Sequence, residues 1–229
     1  MREALELSSP FSTTNPWLAE ELMPGFRALL ETWWKACVSV ADQLYLSLGE
    51  ALDTPDANQL RRIHGTYDHL TWNYYASTSS KRLDSAGDSK RLGAHTDFGT
   101  LTLLFQDTVG GLELRDSDDV FRPVVPLEGA IVVNSGDMLG HLSNGRWKSV
   151  FHRVVAPGDL IESTSQQAVV SEDEVADRYS LVFFGVPNAD VQIQQMPGCE
   201  VPGRWKSNMA LKGSITAGQW VREGLALEY

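Results

Sequence analysis

The sequence predicts a mainly β fold, an antiparallel sandwich or barrel with helices packed outside it. Three observations carry that prediction. Residues 26–48 hold one long apolar stripe at helical spacing. From about residue 67 to 196, short apolar or alternating runs replace it, each bounded by Gly, Asp, Asn or Pro. No alternation of strands with helices is present that would build a parallel doubly wound sheet.

Residues 1–24 are polar, punctuated by Pro10, Pro16 and Pro24, and read as irregular chain. Phe26, Leu30, Trp33, Cys37, Ala41, Leu44 and Leu48 then recur three and four residues apart. They form the apolar face of one helix, whose other face carries Arg27, Glu31, Lys35 and Asp42. The Trp33–Trp34 pair reads as packing surface. Thr54-Pro55 resembles an N-cap followed by a first-turn proline, with a short helix through Leu60 and Ile63.

Strands are predicted at Asn73–Tyr75, Leu101–Phe105, Gly111–Leu114, Gly129–Val133, Val150–Val155, Tyr179–Val186 and Val191–Gln195. Asn144-Gly145 fits a tight turn between strands. Residues 161–177 are acidic and polar, and read as a mobile loop. Thr216-x-x-Gln219 is a capping box ahead of Trp220, Val221 and Leu225, so a helix is expected over about 216–226. The whole of 1–229 is read as one domain: a helical lead-in (about 17–66), a β core (about 67–196) and that last helix.

Composition narrows the function classes. A net charge of -11 argues against a nucleic-acid backbone as partner, and no cluster of Lys and Arg contradicts it. No run approaches the roughly 20 apolar residues of a membrane span, and the first residues lack a leader's apolar stretch. Cys37 falls in the helical pattern and Cys199 in a Pro/Gly-rich stretch. A disulfide between them is possible but not required, and cytoplasm is the expected compartment. Oligomeric state is open.

The chemistry centres on Gly93-Ala94-His95-Thr96-Asp97-Phe98-Gly99-Thr100. In an extended chain, residues two apart point to the same side, so His95 and Asp97 can grip one ion while Thr96 turns away. His152, in the strand-like Ser149–Val154 run, is the best third ligand. Two imidazoles and one carboxylate leave three positions open on an octahedral iron(II), for dioxygen and a bidentate 2-oxo acid. The same donors also describe zinc hydrolase sites. A bare His-x-Asp is weak evidence, and a satisfied structural histidine is the commoner case. His64, His69 and His141 are read as structural or surface residues.

Arg178 and Ser180 fall on one face of the Arg178–Phe184 strand, opposite Tyr179, Leu181 and Phe183. A guanidinium fork beside a hydroxyl makes a carboxylate clamp. Taken alone, an arginine opening a strand would more often stay in solvent.

Several stretches together carry a resemblance. They are Trp72-Asn73-Tyr74-Tyr75, Gly93 to Thr100, Gly110-Gly111-Leu112-Glu113 and Asn134-Ser135-Gly136-Asp137. Ser143 to Ser149, His152-Arg153-Val154 and Arg178-Tyr179-Ser180 follow in the same order. In text and order the chain resembles the isopenicillin N synthase-like branch of the 2-oxoglutarate and iron(II)-dependent oxygenases. The resemblance implies a double-stranded β-helix, or jelly roll, with flanking helices, and the N-terminal region here is shorter than is usual in the family. It implies iron(II) on His95, Asp97 and His152, 2-oxoglutarate as co-substrate, dioxygen as oxidant and a small organic molecule as substrate. Arg178 and Ser180 would hold the distal carboxylate of 2-oxoglutarate, with Asn73 and Tyr75 against the co-substrate near the metal. Phe98 and Phe184 would wall the substrate pocket. Ala76 departs from the family's usual proline. An oxidase of the branch that does not consume 2-oxoglutarate, and a non-catalytic metabolite-binding relative, are the alternative readings.

Overall fold

The computed structural model describes residues 2–79, 90–155, 169–171, 174–205 and 214–228. The chain opens with β1 (Arg2–Leu7), α1 (Phe26–Ala51), α2 (Gln59–Arg62), β2 (His69–Tyr75) and β3 (Thr78–Ser79). It continues through β4 (Lys90–His95), β5 (Leu101–Gln106), β6 (Leu112–Arg115), β7 (Phe121–Pro123) and β8 (Val132–Ser135). A short helix α3 (Asp137–Leu142) precedes β9 (His152–Val155), β10 (Val169–Ser171), β11 (Glu174–Val175) and β12 (Arg178–Gly185), and α4 (Ala217–Glu228) ends the chain.

The strands pair antiparallel in three sheets. The main one has the order β1-β2-β12-β5-β8, the second β4-β9-β6-β7, and a small third β10-β11-β3. This corrects the expected class. A jelly roll, or double-stranded β-helix, is a closed or curled arrangement. Here no ladder among the described residues joins the outer strands of either large sheet, so both are open. The fold is mixed α/β rather than mainly β, and α1 alone spans 26 residues. Closure depends on hydrogen bonds between edge strands and on strand stagger. Neither is written in the alternation of side chains, so the strand pattern could not specify it and the jelly roll implied by the resemblance does not hold here.

Helix α1 lies on one face of the main sheet. Its buried residues Leu30, Trp34, Cys37, Ala41, Tyr45 and Leu48 form one cluster with Leu70, Leu101, Leu103 and Phe183. The stripe is turned by one residue at two places from the sequence reading. Trp34 and Tyr45 are buried, while Trp33 and Leu44 pack partly covered at its margin. Trp34 meets Phe183 edge-on at 5.4 Å and Trp33 meets Phe105 at 4.8 Å, so the tandem tryptophans clamp two neighbouring strands. The opposite face of the main sheet meets the second sheet through Leu104, Val182 and Leu112.

Other local readings need correction. Residues 2–7 form β1, paired along its length with β2 from Arg2↔Tyr75 to Leu7↔Leu70. This strand is mostly exposed, so backbone pairing rather than an apolar face defines it. Thr54-Pro55 does not start a helix, since α2 begins at Gln59. Asn144-Gly145 turns the chain after α3 rather than between strands, with positive φ at both residues. The β8 strand sits at Val132–Ser135, and Val191–Gln195 forms only an isolated bridge, Gln192↔Thr216. Within 161–177, Val169–Ser171 and Glu174–Val175 pair as strands, while 161–168 and 172–173 lie outside the described residues. The capping box ahead of α4 is formed, with Gln219 N donating to Thr216 Oγ1 (3.2 Å) and Thr216 N to Gln219 Oε1 (2.9 Å). Both cysteines are free and buried. Among the described residues no helix is long and apolar enough to cross a membrane.

Trp34→Ala is expected to lower unfolding stability by about 3–5 kcal/mol, the usual cost of emptying an aromatic core site. Leu29→Ala, on the exposed face of the same helix, should change it by about 0.5 kcal/mol or less. Urea denaturation of the two variants checks the direction in which α1 faces.

Candidate metal centre

The second sheet supplies two imidazoles from adjacent strands. His95 ends β4 and His152 begins β9, and the two are cross-strand partners. Their ring centroids lie 4.2 Å apart. Each ring is oriented by its own backbone, with His95 Nδ1 2.9 Å from Gly93 O and His152 Nδ1 3.1 Å from Val150 O. A carbonyl only accepts, so Nδ1 donates in each ring and Nε2 is the atom that a metal would take.

Asp97 follows two residues after His95, in the loop that crosses to the main sheet. Its two oxygens have different surroundings. Oδ2 accepts from Thr102 Oγ1 of β5 (2.5 Å) and from Asn134 Nδ2 of β8 (2.7 Å). Oδ1 lies 3.7 Å from His152 Nε2. One ligand atom from each of His95, Asp97 and His152 falls within 4.8 Å of the others. Thr102 and Asn134 were missed as site residues. Their partner, Asp97, is distant in sequence from β8, and an inward Thr or Asn on a strand has no signature of its own.

The loop carrying Asp97 is fixed by backbone contacts. Asp137 N donates to Asp97 O (2.8 Å), Met138 N to Gly99 O (3.0 Å), Gly136 N to Thr100 O (3.0 Å) and Thr100 N to Gly185 O (2.9 Å). A Cβ at Gly99 would meet Gly185 O at 2.4 Å, and one at Gly136 would meet Gly99 O at 2.4 Å. Only glycine allows this approach. Behind the loop, Thr100 Oγ1 lies 2.7 Å from Nε2 of His64, which stacks on Tyr45. Burial pushes His64 down to about 4 and keeps the ring neutral. Asp68 Oδ1 accepts from Val186 N (3.0 Å), and burial pushes this carboxyl up to about 7.

Arg178 and Ser180 face the second sheet from the main one. Arg178 stands opposite Tyr75, and Ser180 opposite Asn73 and Gln106. Arg178 is 1% exposed. It donates from Nε to Gly110 O (2.8 Å), from Nη1 to Ser180 Oγ (3.3 Å) and from Nη2 to Gln106 Oε1 (3.4 Å). Its guanidinium sits 5.3 Å from the Tyr75 ring centroid, and Asn73 Nδ2 donates to Ser180 Oγ (3.4 Å). Burial lowers the pKa of Arg178 from the usual arginine value, so the charged form is held at a cost. Gln106 and Gly110 O were not foreseen as its partners.

Phe184 is on the same face of β12 as Arg178 and Ser180, packed toward Leu104 and Val182. Phe98 sits in the cluster beneath α4, with Trp220, Val221 and Met138, and its ring edge lies where a Cβ on Gly224 would fall. His69 opens β2 with its ring 6.1 Å from Phe184, and His141 lies 4.7 Å from Trp220.

Two imidazoles and one carboxylate, with Nδ1 and Oδ2 engaged elsewhere, bring three ligand atoms close enough to hold one metal ion. Hard oxygen and borderline nitrogen donors suit iron(II), and zinc shares the preference. Residues 67–187 match the 2OG-Fe(II) oxygenase superfamily, and the chain belongs to it. It is 42% identical over 238 residues to the 2-oxoglutarate-dependent dioxygenase lolO2 of Epichloe uncinata, covering 100% of this chain and 64% of that protein. The chain therefore spans less than two thirds of that relative's length. A full-length Neurospora crassa protein solved with alpha-KG and 5-formyluracil superimposes with a TM-score of 0.83 at 27% identity, covering 99% of this chain and 69% of the other. The rice dioxygenase for auxin oxidation superimposes at 0.71 and 25% identity, over 99% of this chain and 69% of its own.

Asn134→Ala, which strips one donor from Asp97 Oδ2, is expected to weaken Mn(II) binding about 10- to 100-fold, measured by equilibrium dialysis. A second expectation concerns pH. Above about pH 4 the unfolded Asp68 carboxyl has lost its proton, whereas the folded one keeps it to about 7. The folded state binds more protons in that window, so this group's contribution to stability falls as pH rises and levels off above about 7. Asp68→Asn should therefore gain stability relative to the parent between those limits, read from urea melts at a series of pH values.

Proposed function

We propose that this chain is an iron(II)- and 2-oxoglutarate-dependent dioxygenase. It oxidises a small organic molecule by hydroxylation, desaturation or ring closure, and releases succinate and carbon dioxide. The observation that carries the reading is the convergence of His95, Asp97 and His152 within 4.8 Å, with Asp97 Oδ2 committed to Thr102 and Asn134. That division leaves Oδ1 as the metal-facing oxygen. Bound iron would supply the activation of dioxygen against an unactivated C–H bond.

The chain's own residues do the rest. The backbone carbonyls of Gly93 and Val150 hold the two imidazoles as Nε2 donors. Arg178 and Ser180 receive the distal carboxylate of 2-oxoglutarate, and Asn73 and Tyr75 line the same face. The support is electrostatic. Among the described residues every hydrogen bond of Arg178 goes to a neutral acceptor, so a buried cation faces the interior without a contacting anion. Such a charge is stabilised by a carboxylate ligand. Phe184 forms an apolar wall toward the substrate. Phe98 closes the site on the side of α4.

We take 1–229 as one oxygenase domain, because α1 and α4 each pack into clusters shared with the β core. The order of its motifs supports the isopenicillin N synthase-like branch. Thymine and 5-formyluracil in the Neurospora crassa complexes, and auxin in the rice protein's name, support a small organic substrate. Two free buried cysteines suit the cytoplasm.

Addition of 2-oxoglutarate to the anaerobic iron(II)-loaded protein should produce a visible charge-transfer band, and turnover should release succinate. His152→Ala should abolish the band together with tight iron binding. Retention of both in that variant would refute the ligand assignment.

A further inference from the structure

A second, half-buried guanidinium borders the clamp. Arg91 lies on β4, where the ladder to β9 slips. Lys90 pairs with Val155 and Leu92 with Val154, so Arg91 is the extra residue of a bulge. Such a bulge breaks the alternation of side chains along the strand. Its Nη2 donates to Ala176 O (2.8 Å) and reaches Ala76 O at 3.5 Å. These carbonyls lie just beyond Tyr75 on β2 and just before Arg178 on β12. The guanidinium thus crosses from the second sheet to the end of the main sheet where the Tyr75↔Arg178 pair stands.

There it is incompletely satisfied. Among the described residues, Nε and Nη1 of Arg91 are buried and have no hydrogen-bond partner. Burial, and next the charge of Arg178, lower the pKa of Arg91 from the arginine value, while Asp107, Asp177 and Tyr75 act the other way. The two acids are otherwise occupied. Asp107 accepts from the backbone N–H of Val109 (3.0 Å) and Tyr179 (2.5 Å). Asp177 accepts from Tyr74 Oη (3.3 Å) and from Ser77 N. They soften the field without filling the open N–H groups. Two like charges beside each other, one with two idle donors, fit an anion that both can share.

We propose that Arg91 is the second cation of the co-substrate clamp, and that it makes the site selective for a dicarboxylate 2-oxo acid over a monocarboxylate one. This rests on the 2-oxoglutarate reading above. Arg178 with Ser180 holds the terminal carboxylate, and Arg91 adds charge and donors at its far side. Its effect therefore depends on the ligand's terminal carboxylate and not on the chelating end.

The test is calorimetric binding to the Mn(II)-loaded full chain without oxygen. It uses 2-oxoglutarate and 2-oxopentanoate, which has the same chain without the terminal carboxylate. Arg91→Met is expected to raise the Kd for 2-oxoglutarate about tenfold or more, as for loss of a charged hydrogen-bond partner, and to leave 2-oxopentanoate unchanged. Equal weakening of both acids would mark Arg91 as a structural support and overturn the proposal, as would unchanged binding of 2-oxoglutarate. Arg178→Met separates the two readings. If it binds 2-oxoglutarate as the parent does, the clamp itself is misassigned. If it is impaired while Arg91→Met is not, only the role of Arg91 falls. Should Arg91→Met lack a cooperative melt, Arg91→Lys decides by the same two ligands, with selective weakening toward 2-oxoglutarate supporting the proposal and equal or absent weakening overturning it.

Discussion

The carboxylate of Asp97 joins the two large sheets. It leaves the second sheet just after His95, and its Oδ2 is tied to Thr102 and Asn134 on the main sheet. The two hydrogen bonds fix the rotation of the carboxyl group, so Oδ1 has one direction in which to act. Without them a carboxylate at the end of a loop would sample several rotamers, and the third ligand would be lost to a gap of an ångström or less. The imidazoles need no such bridge, because their strands pair directly. The metal site is thus a two-strand element plus one side chain held from across the interface.

The backbone around that side chain explains why two separate stretches of sequence read as motifs. Gly99 belongs to the His-x-Asp segment and Gly136 to the Asn-Ser-Gly-Asp segment. In space they touch, since a Cβ on Gly136 would strike Gly99 O and Asp97 O. The N–H groups of Gly136, Asp137 and Met138 donate to Thr100, Asp97 and Gly99 carbonyls. Asn134, two residues earlier, is placed by the same contact to reach Asp97 Oδ2. Changing either glycine would push the two segments apart and move the anchor of the carboxylate with them. The pattern in the sequence is the trace of one close backbone contact.

Much of the site was legible because its periodicity is local. His95 and Asp97 were paired by their two-residue spacing, and Arg178 and Ser180 were put on one strand face by the same rule. The helix α1 and the capping box of α4 were legible for equally local reasons. What was not legible depends on pairing between distant segments. The β1 strand has Arg2, Glu3 and Glu6 among its six residues and gains its place from backbone bonds to β2. Thr102 looked like any β-branched strand residue. The identity of the buried tryptophan, Trp34 rather than Trp33, depends on the angle at which α1 crosses β12 and β5. Openness of the sheets is a property of their edges, which side-chain alternation does not describe.

Charge is distributed in the interior with a direction. The carboxylate of Asp97 and two neutral-capable imidazoles lie toward one end, and buried Arg178 with Arg91 lies toward the other. Each guanidinium costs free energy to bury, and the hydrogen bonds from Arg178 to neutral acceptors recover only part of it. A fold does not retain uncompensated buried charge for stability, because an apolar residue of similar size would serve better. Asp107 supplies part of the compensation for both guanidiniums, and an anion from outside the chain would add to it. A molecule with a metal-chelating group at one end and a carboxylate at the other meets both demands, the Lewis acid at the triad and the cations behind it. The same pattern disfavours zinc hydrolase chemistry, which has a use for the triad but none for a buried cation on the facing sheet.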